Sequence, residues 1–204
     1  MAEPMRFRNA AALAAATQAL LYANVAIAAL AAAFLFVGWY DQSGPAALLA
    51  IVELAFFVGC AIVFLFWLYR ASSNARALGA RDMMVSPGWA VGWYFVPLAN
   101  LGMPYVTVRD LWKASAKPRD WQIESAPATI AVWWGCWIVA NATGLIAFRL
   151  ELEMGAEALP ATYGLSLVSE IFTIPAALLL IRIVASIQAM QERAKGTSAS
   201  AVFT

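Results

Sequence analysis

The sequence predicts an all-α integral membrane protein: four transmembrane helices, with a broken re-entrant or interfacial helical hairpin between helices two and three. Three observations carry that reading. The 204 residues are 63% hydrophobic and only 12% charged, against about 45–50% and about 25% in an ordinary globular domain. Mean hydropathy is +0.73, and the apolar residues fall in four long blocks. Basic residues recur on the same side of successive blocks. A water-soluble fold of this size cannot hide so much apolar surface, so lipid must be the solvent for most of it. The whole chain, 1–204, reads as a single membrane domain.

A spanning helix needs about 20 mostly apolar residues. The first run, about 10–38, is alanine-rich and interrupted only by Thr17, Gln18 and Asn24. It follows Arg6 and Arg8, as a signal peptide would, but the apolar part of a signal is about 7–15 residues. The run is far longer than that and reads as an anchor. The second run, about 45–69, carries one charge, Glu53. The third, about 127–148, carries none, and the fourth, about 161–187, holds Glu170 and Arg182.

Basic residues stay cytoplasmic. Arg6 and Arg8 precede the first run, and Arg193 and Lys195 follow the fourth. Arg70, Arg76, Arg81, Arg109, Lys113, Lys117 and Arg119 lie between the second and third. The other side has Arg149 among Asp41, Glu151, Glu153 and Glu157. The expected location is a bacterial cytoplasmic (inner) membrane, with both termini and the tail 190–204 cytoplasmic. Short acidic loops at 41–44 and 151–160 face out.

The stretch 83–108 is apolar enough to cross, yet basic residues flank it on both sides and Pro87, Pro97 and Pro104 interrupt it. A fifth span would reverse the rest of the topology. A broken hairpin over about 86–115 does not. Ser86-Pro87 reads as an N-cap with proline at the first helical position. Trp89 and Trp93 follow, and Pro97 and Asn100 break the first half-helix. Pro104 starts a second, with Tyr105, Val108 and Trp112 on one face and Arg109, Asp110 and Lys113 on the other. Non-helical backbone at membrane depth must be covered, so Asn100 is expected to bond the freed backbone.

The run Trp67-Leu-Tyr-Arg-Ala, Asn74, Leu78-Gly79, Ser86-Pro-Gly-Trp-Ala-Val-Gly-Trp-Tyr-Phe-Val-Pro97-Leu-Ala-Asn100-Leu101, Pro104-Tyr105 and Leu111-Trp112 resembles the signature of a bacterial membrane-protein family catalogued as domain of unknown function 4328. The resemblance covers roughly 52–187, with its distinctive part in 67–112. It implies a bacterial multi-span membrane protein with no established activity. The plain alanine-rich first span and the Gly102-Met103 pair depart from the pattern.

Glu53 and Glu170 each lie about 10–15 Å deep from the outer side at 1.5 Å per residue, so they share a layer. They read either as a proton or cation site, or as protonated carboxyls bonded to Ser169, Thr173, Asn141 or a neighbouring backbone carbonyl. The second reading is favoured, because no basic residue or third acid accompanies them. Asn24 and Asn141 are also level, and a cross-helix amide bond there would contribute about 0.6–2 kcal/mol and fix register. Arg182 is placed to snorkel to the boundary or to pair with Asp110. Of nine tryptophans, Trp39, Trp67, Trp112 and Trp121 suit an interfacial belt. Trp133, Trp134 and Trp137 offer a stacking surface for a pigment, quinone or lipid, with helix packing favoured. The seven basic residues from Arg70 to Arg119 read as a patch for anionic headgroups, at about 1 kcal/mol each. A net charge of +1 argues against nucleic acid.

The inventory also excludes chemistry. There is no histidine, hence no His-ligated metal and no Ser-His-Asp triad. Cys60 and Cys136 lie apart in apolar runs and form no CxxC pair. Neither metal, cofactor nor catalytic residue is expected. The reading is a non-enzymatic accessory or structural subunit that packs against other integral membrane proteins and lipid. Its close-packing face is Ala15, Ala19, Ala23 and Ala26. The alternative is a small oligomeric transporter or channel-like protein using Glu53, Glu170 and the broken hairpin.

Overall fold

Alanine, leucine and other helix-favouring residues dominate every apolar run, and the chain is helical throughout its ordered elements. The computed structural model describes residues 6–36, 44–154 and 159–200. Six α-helices occur among them: α1 (Ala11–Phe36), α2 (Gly44–Ala77), α3 (Pro87–Gly92), α4 (Met103–Ala116), α5 (Ala128–Met154) and α6 (Leu159–Ser200). Short 3-10 turns at Trp93–Phe95, Ala99–Leu101 and Trp121–Ile123 connect them, and no strand is present among the described residues. Four helices, α1, α2, α5 and α6, have the length and apolarity of membrane spans. Only 11% of the α2 window and 28% of the α5 and α6 windows are buried, so most of their side chains need an apolar surrounding. Trp39, the loop residues 41–43 and 155–158, and the tail residues 201–204 lie outside the described residues.

Three helices run further than the sequence reading, α5 among them, which continues past 148 to Met154. α2 continues past position 69 because Ala71, Asn74 and Ala75 bury on the same face as Trp67 and Leu68. α6 continues past 187, with Pro175 inside it. There the stripe Val184, Ile187, Gln191 keeps helical spacing, and all three are 0% exposed. The segment read as a tail is thus helical to Ser200. Trp67 and Trp121, expected in an interfacial belt, are both buried.

The chain forms two compact units. The first combines Met1–Gln18, Ala61–Ala131 and Ile181–Thr204. Its core is Trp67, Leu68, Ala71, Val108, Leu111, Ala114, Val184 and Ile187. The second combines Ala19–Cys60 and Val132–Leu180, with Ala28, Ala31, Trp133, Trp134, Ala140, Ala147 and Ala176 buried. Small residues there let backbones approach closely: a Cβ on Gly144 of α5 would lie 3.0 Å from Ser169 Oγ of α6. Ser169 Oγ donates to Ala140 O at 2.9 Å.

Candidate functional site

In the first unit, polar side chains tie non-helical segments to helices. Asn74 on α2, 1% exposed, accepts from Arg8 N (2.9 Å) and donates to Arg8 O (2.8 Å), pinning the chain ahead of α1. Gln191 on α6 donates to Ala71 O (2.9 Å) and Ser115 Oγ (3.0 Å), joining α6, α2 and α4. Trp121 Nε1 donates to Arg81 O at 2.8 Å. Arg76 reaches Met83 O (3.2 Å) and Val85 O (2.8 Å), so a charged side chain replaces the missing ladder of the loop that leads into α3.

The broken segment follows from its prolines and caps. Ser86 Oγ accepts from Trp89 N at 3.3 Å, with Pro87 in the first turn of α3. Trp93 packs against Trp89 with ring centroids 4.6 Å apart and planes tilted by 32°. The helix stops before Pro97, whose ring would clash with the preceding turn and which has no donor. Asn100 Nδ2 donates to Tyr94 O at 3.3 Å, across the break. At the tip, Ala99 N donates to Pro97 O at 2.8 Å around Leu98, whose φ of 64° and ψ of −46° describe a strained γ-turn. Leu98 is also 84% exposed. Pro104 then opens α4.

The face that α4 buries differs from the expected one. Pro104, Thr107, Val108, Asp110, Leu111, Ala114 and Ser115 turn inward, while Tyr105 and Trp112 are half-buried. The hydroxyls looked polar in sequence, but Thr107 donates to Met103 O and Ser115 to Leu111 O, both at 2.8 Å. Satisfied within their own helix, they bury without penalty. Asp110 pairs with Arg109 at 2.8 Å, not with Arg182, which is exposed.

Several of the seven basic residues are engaged within the protein. Arg76 and Arg109 are bonded as above. Lys113 Nζ donates to Gln122 O (3.2 Å) and lies 5.7 Å from the Trp121 ring. Lys117 meets Glu124 at 3.1 Å. Arg81 and Arg119 are exposed and Arg70 is half-buried.

The second unit holds the intramembrane polar candidates. Glu53 and Glu170 lie near each other. Glu53 Oε1 is buried with no hydrogen-bond partner among the described residues. Two expected carboxyl partners are committed elsewhere: Ser169 to Ala140 O and Asn141 to Trp137 O at 2.8 Å on its own helix. That local bond replaces the expected pairing of Asn141 with Asn24, because a carbonyl one turn back is always within an asparagine's reach. Trp134 and Trp137 stack at 4.5 Å with planes 11° apart, and Trp133 lies 5.3 Å from Trp134.

Gln188, Gln191, Ser115 and Thr107 are buried polar residues that the sequence reading did not single out. Extending the fourth run's apolar stripe beyond 187 by helical spacing reaches both glutamines.

Four span-like helices and a proline-broken connector held by side-chain-to-backbone bonds define an all-helical chain of the multi-pass membrane type. Its family is described as Domain of unknown function (DUF4328), whose profile matches residues 40–189. The chain belongs to that family, as its Trp67–Trp112 signature implied. No curated protein and no solved structure matches it.

Proposed function

We propose that the protein is a non-enzymatic accessory subunit of the bacterial inner membrane, with both termini cytoplasmic, that packs through α1 against another membrane protein. The observation that carries this is a contrast between helices. Ala12, Ala15, Ala19, Ala26, Ala29 and Ala33 form an exposed stripe on α1, broken by Tyr22. α2 instead exposes Leu48, Ile51, Leu54, Phe57, Ile62 and Phe66. Large side chains suit lipid tails, whereas alanines at three- and four-residue spacing suit the close approach of a second helix. Ala19→Leu with Ala26→Leu should release a co-purifying partner in mild detergent, while Leu54→Ala on α2 should not. A wild-type chain that purifies as a lone monomer would sink the idea.

In the same reading the hairpin re-enters from the cytoplasmic side. α2 serves as a ruler. Tyr94 meets Phe64 edge-on with centroids 6.0 Å apart, and Phe64 lies six residues before Arg70, about 9 Å deeper at 1.5 Å per residue. Cysteines at Asp82 and Arg119, exposed on either flank, should both resist an impermeant reagent applied outside. Labelling of either one makes the segment a fifth span.

The proximity of Glu53 and Glu170 favours a second reading, an oligomeric proton or cation pathway. Liposome flux that is absent, or unchanged when both become Gln, removes it.

A further inference from the structure

Three deeply buried polar side chains of the first unit each keep one atom with no hydrogen-bond partner among the described residues: Trp67 Nε1, Gln188 Oε1 and Gln191 Oε1. Trp67 and Gln191 are 0% exposed and Gln188 is 8% exposed. Buried polar groups are nearly always matched, so three together call for an explanation.

Geometry places Trp67 and Gln188 in one layer, a turn before Gln191. α2 and α6 run in the same direction: Gln191 meets Ala71, and one turn further along each helix Asn74 bonds Arg8 while Lys195 lies over the neighbouring Phe7 ring. The bond from Gln191 Nε2 to Ala71 O fixes their relative level. Trp67 stands one turn before Ala71 and Gln188 about one turn before Gln191, offsets of about 6 and about 4.5 Å in the same direction. The amide nitrogens are committed: Gln188 Nε2 donates to Glu192 Oε1 at 2.8 Å, and Gln191 Nε2 to Ala71 O and Ser115 Oγ. These donors fix which way each amide is turned and leave the two oxygens over. Tyr94 OH is a further buried unmatched donor. Its ring packs on Phe64, which in turn lies 5.8 Å from the Trp67 ring.

The mixture selects the ligand. A carbonyl or an anion would accept from the indole but face two amide oxygens with nothing to give. A cation would suit the oxygens but confront the positive end of the indole N–H. Only a group that both accepts and donates satisfies the set, and the smallest neutral one is a hydroxyl. We propose that this layer binds a hydroxyl group, which accepts from Trp67 Nε1–H and donates to Gln188 Oε1. The hydroxyl belongs either to a water molecule or to a lipid with a free alcohol, such as a diacylglycerol.

The test is nuclear magnetic resonance on the full chain in lipid nanodiscs, with nitrogen-15 in the tryptophan indoles. Trp67→Phe identifies the Trp67 N–H signal. Should that variant not fold, Trp→Phe changes at the other positions assign it by exclusion. A cross-relaxation peak from that proton to water protons supports the proposal with water as the source. A peak to glycerol protons, gained only when diacylglycerol is added, supports it with lipid as the source. In either case Gln188→Met should shift the indole signal and weaken that peak. An indole proton with no such peak in either nanodisc, or a signal that Gln188→Met leaves unmoved, overturns the proposal.

Discussion

Replacing Asn74 by leucine isolates what holds the chain ahead of α1. Asn74 makes two hydrogen bonds with the backbone of Arg8, at 2.9 and 2.8 Å, and leucine is close to it in volume but makes neither. Each neutral bond contributes about 0.5–1.5 kcal/mol net, so the pair contributes about 1–3 kcal/mol. No further desolvation penalty applies, because Arg8 is exposed and its freed groups reach water once the segment lifts. The loss therefore appears as local opening and not as global unfolding. At tenfold per 1.4 kcal/mol, the opening equilibrium should rise about 5- to 150-fold. Hydrogen exchange of the peptide containing Arg8, measured by mass spectrometry in detergent, reads that change directly. Ser73→Ala is the control, since Ser73 Oγ bonds only Tyr69 O of its own helix and should leave exchange at Arg8 unaltered. Two other contacts compete for the role: Lys195 Nζ sits 5.2 Å from the Phe7 ring, and Ala10 is 1% exposed. Exchange at Arg8 that is the same in Asn74→Leu and wild type would show that those contacts hold the segment and refute the argument.

Three further outcomes are expected. Asn100→Leu removes the bond to Tyr94 O and should lower stability by about 0.5–1.5 kcal/mol, read as a fall in the thermal midpoint in detergent. Leu98→Gly should raise stability by about 1 kcal/mol, because relief of a strained backbone of about 1–3 kcal/mol exceeds the roughly 0.5–1 kcal/mol entropic cost of glycine; a lowered midpoint refutes the γ-turn reading. Gly144→Leu should cost about 1–3 kcal/mol by overpacking against Ser169, whereas Gly135→Leu, where an added Cβ meets nothing within 4 Å, should change the same midpoint by far less.

The four long apolar helices were legible because the length of an apolar run is a signal that survives without knowledge of any contact. The break in the connector was legible for the same reason in reverse: Pro97 and Pro104 interrupt a helix whatever surrounds them. The side-chain partners were not legible. Asn141 looked like half of an amide pair because it is level with Asn24, yet its local carbonyl was nearer. Asp110 could be read as available to Arg182, but Arg109 is its neighbour in sequence and bonds it. Asn74 stood out only through a family resemblance, since nothing in one sequence says that an asparagine two turns past a span will meet residue 8. Such pairings have large sequence separation and no periodicity, so they depend on tertiary placement alone.

One regularity does connect them. The connecting segments expose backbone carbonyls that no helical ladder takes up, and donor-bearing side chains answer them: Arg76 to Met83 and Val85, Trp121 to Arg81, Lys113 to Gln122, and Asn100 to Tyr94. Arginine, lysine and the indole are donors without acceptors, which makes them suited to this task whether or not they also face lipid headgroups. Two of the seven basic residues between α2 and α5, Arg76 and Lys113, therefore answer the loop's surplus of carbonyls, besides the rule that places positive charge on one side of a membrane. The two causes separate by their salt dependence. Attraction to anionic headgroups falls within a Debye length, about 10 Å at 0.1 M salt, whereas a short bond from Arg76 to Val85 O is screened much less. Raising salt should loosen whatever Arg81 and Arg119, both exposed, contribute to membrane attachment, and leave the Arg76 staple and the hairpin it holds in place.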